Sequence, residues 1–72
     1  MMLSHYTAER VKVGDRYALL DVVIDGYLTP DELSQIATEA VKKSKTERLK
    51  FLRSHGIHDL QIHFIPEEYH DA

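Results

Sequence analysis

The sequence predicts a small α+β domain: an N-terminal β-hairpin, one or two helices and a C-terminal strand, with the helices on one face of a three-stranded antiparallel sheet. Three observations carry this. Val22, Val23 and Ile24 form a β-branched run, which favours strand over helix. "TPDELSQIATEAV" joins a helix-start signal to a stripe of helical period. "HDLQIHFIP" alternates apolar and polar residues and stops at a proline.

The elements follow in order. Val11–Val13 reads as a first strand, Gly14-Asp15 as a turn, and Tyr17–Ile24 as the second strand, with Ala18, Leu20, Val22 and Ile24 lining the core face. Thr29 is an N-cap whose hydroxyl accepts from an orphan amide of the first turn. Pro30 suits the first helical position, and Glu32 completes a capping box. Leu33, Ile36, Ala37, Ala40 and Val41 then form one apolar stripe. The stripe fails over Lys42–Arg48 and resumes at Leu49, Phe51 and Leu52, so residues 30–55 read either as one kinked helix or as two, the second capped by Thr46. Gly56 fits the left-handed position after a helix end. In the last strand Leu60, Ile62 and Phe64 face one way, and Asp59, Gln61, His63 and Ile65 the other. Residues 66–72 read as a mobile tail.

The chain has 72 residues, no cysteine and a net charge of −3. That length predicts one small domain over 1–72, near the lower limit for a self-sufficient core, held by apolar packing without disulfides. "MMLSHYTAERV" lacks the basic-then-apolar pattern of a secretory leader, and no apolar run approaches a membrane span, so a cytoplasmic setting with no membrane partner is expected.

From Asp21 the sequence resembles an EF-hand calcium loop. Asp21 and Asp25 match the first and fifth loop positions, Gly26 the sixth, Leu28 the eighth and Glu32 the bidentate twelfth. The resemblance implies that the Tyr27 carbonyl and the Thr29 side chain would add oxygens. It covers about a quarter of the chain. Val23 departs from it, standing where a third oxygen ligand belongs. Ile24 is bulky for a polar loop, Gly14 interrupts the entering helix, and no second loop pairs with this one. Asp-Gly as a turn and Thr-Pro-Asp-Glu as a helix start account for the same residues, so a strand, a turn and a capped helix are expected, with no cofactor or metal.

His55, His58 and His63, with Asp59 beside them, have the residue types of a zinc or nickel site, but regular alternation puts His58 and His63 on opposite strand faces. "KKSKTERLKFLR" holds six of the nine basic residues: Lys42, Lys43, Lys45, Arg48, Lys50 and Arg53. On a helix these would contact phosphates of DNA or RNA, or an acidic partner. The acidic flanks and the lack of a base-reading polar set weigh against nucleic acid. No nucleophile elbow, phosphate loop or zinc-protease motif is present, so an enzyme is not expected.

The second strand is apolar on both sides. Tyr17, Leu19 and Val23, with Ile65 of the last strand, face away from the helices around Asp21. Either the N-terminal segment covers them through Leu3 and Tyr6, or they form an interface for another protein or a second copy. The expectation is a small protein-interaction module, an adaptor or inhibitor of a larger machine, of a size that suits a phage- or plasmid-encoded regulator.

Overall fold

A computed structural model describes residues 2–66. The chain runs β1 (Leu3–Val13), β2 (Arg16–Asp25), α1 (Pro30–Ala40), α2 (Lys45–Ser54) and β3 (Ile57–Phe64). The strands form one antiparallel sheet in the order β1-β2-β3, so β2 is central. This is the predicted α+β architecture.

The hairpin closes because Gly14 takes φ +68° at the first of two loop residues, a conformation that costs an L side chain energy and glycine none. Its N–H donates to Thr38 Oγ1 at 2.9 Å, pinning the turn to α1. The expected four inward residues of β2 form the centre of the core: Ala18, Leu20 and Val22 are 0% exposed and Ile24 1%. Onto them pack Val11 and Val13 of β1, Leu33, Ile36, Ala37 and Ala40 of α1, Leu52 of α2 and Ile57 of β3. α1 lies over β1, and α2 lies beside β3.

β1 begins at Leu3, not at Val11 as the sequence suggested. Two features hid it. Its inward positions opposite Ile24, Val22 and Leu20 are Ser4, Tyr6 and Ala8, which are weakly apolar. A bulge between Ala8 and Val11 then shifts the alternation by one residue. Tyr6 is a structural tie on the helix side. Its hydroxyl donates to the Leu28 carbonyl (3.1 Å) and accepts from the Leu28 N–H (3.2 Å), and its ring lies 5.2 Å from that of Tyr27.

Helix α1 starts as expected, with the capping box of Thr29 and Glu32 complete in both directions. It ends at Ala40, so Val41 is a cap residue, 38% exposed, and not part of the buried stripe. Two helices form rather than one. The cap of the second is Ser44, not Thr46. Ser44 has Glu47 three residues on and accepts from its N–H, whereas Thr46 has Leu49 there. Arg48 reaches back to the end of α1, its Nε donating to the Ala40 carbonyl at 3.1 Å and its Nη2 to the Lys43 carbonyl at 3.5 Å. A cation at a helix C-terminus satisfies orphan carbonyls and the helix dipole together. Gly56, at φ +79°, ends α2 as expected, its N–H donating to the Arg53 carbonyl. Its own carbonyl accepts from Asp25 N–H at 2.8 Å, which seats β3 beside β2. The expected tail beyond Pro66 lies outside the described residues.

Replacing Tyr6 by Phe keeps the ring and leaves the Leu28 N–H and carbonyl without their partner. A loss of about 1–3 kcal/mol in urea unfolding is expected, with an unchanged denaturant slope.

Candidate functional site

The molecule is 16 Å thick along its shortest axis, enough for the sheet and one helical layer. Among the described residues, no element covers the other sheet face. The alternative of cover by the N-terminal segment does not occur. β1 lies in the plane of the sheet, Tyr6 points to the helices, and Leu3 on the bare side is 59% exposed.

Register fixes the layout of this face. Along β2 it presents Tyr17, Leu19, Asp21 and Val23. Across β1 lie Lys12 opposite Tyr17, Thr7 opposite Asp21 and His5 opposite Val23. Across β3 lie His63 opposite Leu19, Gln61 opposite Asp21 and Asp59 opposite Val23, and Ile65 N–H donates to the Tyr17 carbonyl. The four residues singled out in the sequence therefore share one surface. Tyr17 is 40% exposed, and Leu19, Val23 and Ile65 are half-buried. They form an apolar ridge between two polar margins.

Asp21 interrupts the ridge without being left unpaired. Thr7 Oγ1 donates to its Oδ1 at 2.8 Å, and His63 Nε2 lies 3.5 Å from its Oδ2. At the hairpin end, Arg10 lies over the Tyr17 ring at 4.6 Å, with Lys12 at 5.8 Å. Arg10 sits in the β1 bulge with φ +60°, a left-handed conformation for a residue with a Cβ. Sequence reasoning missed Thr7 and Arg10, and the pairing of His63 with Asp21, because these depend on register and on a bulge with no sequence mark.

The calcium-loop residues take separate partners. Asp21 faces Thr7 and His63, Asp25 Oδ2 lies 3.0 Å from His58 Nε2, and Glu32 Oε1 accepts from Thr29 N–H. The segment is strand, turn and capped helix, so the entering helix of an EF-hand is absent. The histidines do not converge either. His55 packs edge-on against Phe51, while His58 and His63 go to different aspartates. A second bulge, at Val23/Ile24, breaks the alternation of β3, so His58 turns towards Asp25 instead of standing opposite to His63 as regular spacing implied. Among the described residues, no group of three or more His, Asp or Glu is placed to hold a metal ion.

The six basic residues also divide. Lys42 lies 3.9 Å from Glu39, Lys43 stands over the Phe51 ring, and Arg48 caps α1. Lys45, Lys50 and Arg53 are exposed on α2. Among the described residues, no helix is long and apolar enough to cross a membrane. Comparison with protein-family models, curated proteins and solved structures returned no match.

Two predictions follow from the local geometry. Arg10→Ala loses the stacking on Tyr17 and keeps the backbone strain, whereas Arg10→Gly relieves the strain. The glycine variant is expected to be more stable than the alanine variant by about 1 kcal/mol, several degrees in melting temperature. Calcium added to millimolar concentration is expected to leave the amide shifts of residues 21–32 unmoved; a downfield shift of the Gly26 amide would contradict the strand assignment of that segment.

Proposed function

We propose that the chain is a non-enzymatic protein-interaction module whose contact surface is the uncovered sheet face. The observation that carries this reading is the apolar ridge of Tyr17, Leu19, Val23 and Ile65, framed by polar side chains and uncovered by any described element. An apolar centre with a polar rim is the common anatomy of a protein interface.

Charge selects the kind of partner. Asp21 lies midway along the face. A symmetric dimer centred there would bring the two Asp21 carboxylates together as water is excluded, which costs energy. A different protein that offers a donor or cation opposite Asp21 avoids that penalty. Size also matters. Three strands about 4.8 Å apart and ten residues long at about 3.3 Å each present roughly 450 Å² in projection. A stable interface takes about 800 Å² from each partner, so the target either binds transiently or also contacts the sheet edges.

The test is retention of a partner from lysate of the source cells, repeated with the purified partner. Tyr17→Lys and Val23→Lys are expected to weaken binding at least tenfold with an unchanged far-UV spectrum, and Lys50→Glu to leave it intact. Equal binding by folded Tyr17→Lys and Val23→Lys overturns the reading, and so does unfolding of both, which would make those side chains core. In sedimentation the free protein is expected to be monomeric.

A further inference from the structure

The two edges of the sheet are not equivalent. β1 carries the bulge at Glu9-Arg10 with a left-handed Arg10, and the charges of Glu9, Arg10 and Lys12. Bulges and charges are the features by which exposed strands resist pairing with another chain. β3 has its bulge only at its start. From Asp59 to Phe64 it pairs regularly with β2 and contains no lysine or proline. Because Ile65 N–H donates to Tyr17, the peptide groups of His63, Gln61 and Asp59 also face β2. Those of Leu60, Ile62 and Phe64 therefore point out of the sheet, towards an edge that no described strand occupies.

The side chains of these three residues lie on the helix side, yet Leu60 and Ile62 are only half-buried and Phe64 is 39% exposed. Helix α2 packs against β3 and lines a groove with the first half of that strand, up to Leu60. The groove between α2 and β3 has Leu52, Ile57 and Leu60 in it, and Leu49 on its helical wall is 54% exposed. Lys45 and Arg53 flank Leu49 one turn away on each side and line the same groove. Among the described residues neither forms an ion pair, and Asp59 is the single carboxylate lining the groove.

We propose that the β3 edge beneath α2 is a β-augmentation site for an extended acidic peptide. The peptide pairs with the outward peptide groups of Leu60, Ile62 and Phe64. Its alternate apolar side chains enter the groove beside Leu49, and its carboxylates meet Lys45 and Arg53. Charge argues against a second copy in this place. Antiparallel pairing of β3 with its own copy would set two α2 helices side by side, with Lys45, Lys50 and Arg53 facing like charges. The site uses none of the ridge residues, so it stands or falls separately from the surface proposed above.

The probe is a set of synthetic peptides as long as β3, alternating valine or leucine with glutamate, titrated into the full chain at low salt and followed by amide NMR. Three results are expected. The Leu60, Ile62 and Phe64 amides shift and become protected from exchange. Lys45→Glu combined with Arg53→Glu weakens binding at least tenfold. A peptide N-methylated at alternate residues, with the same charge and side chains, also binds at least tenfold more weakly. Equal affinity for the N-methylated peptide overturns the proposal, as do shifts confined to Tyr17, Leu19 and Val23, or no response from the wild type to any peptide of the set. Protection of the three amides in the free, dilute protein, or a concentration-dependent dimer lost in Leu49→Glu, would mean the edge is already filled and would overturn it equally.

Discussion

Burial of one side of β2 is the contact on which the rest of the structure depends. Ala18, Leu20, Val22 and Ile24 are essentially inaccessible, and every other element reaches the core by touching them or their neighbours. A chain of this length has no second core to fall back on. Each outer strand needs β2 for its ladder, and the buried side chains of both helices join its inward residues in one core. The same constraint explains the bare face. With the described residues spent on one sheet and one helical layer, none of them is left to cover the other side of β2. The apolar ridge there is a by-product of a thin fold and, on the reading developed above, also its use.

The elements whose signals are local were legible in the sequence. The capping box of α1 depends on residues three apart, the β2 alternation on a period of two, and the Gly56 stop on one backbone conformation. The elements that depend on distant partners were not. Most of β1 was hidden because Ser4, Tyr6 and Ala8 face inward without looking like a core, and because the bulge at Glu9-Arg10 changes phase midway. Tyr6 qualifies as an interior residue only once Leu28 is brought alongside to satisfy its hydroxyl.

The candidate surface divides in the same way. Tyr17, Leu19, Val23 and Ile65 could be grouped from alternation alone, since a strand has only two faces. The polar frame around them could not. Asp21 carries the strongest resemblance to a metal ligand in the sequence, and it is matched instead to Thr7 and His63 from two other strands. Spacing along the chain had joined it to Asp25 and Glu32, which the fold sends to His58 and Thr29. A ligand pattern and a strand–turn–helix boundary use the same residue types, and only the backbone separates them.

Helix α2 places a single side chain, Leu52, fully in the core, where α1 places four. That imbalance grades the molecule's cohesion. The β1–β2 hairpin closes through a two-residue loop with little entropy to overcome, and α1 is anchored along its length. α2 is held more lightly, through Leu52 and the reach of Arg48 back to α1, and it packs against β3, which follows it. Few buried side chains hold this helix, which makes it the part of the described fold best placed to loosen while the sheet and α1 stay assembled. A ligand gripping α2 against β3 would therefore act as a clasp on the helix that contributes least to the core.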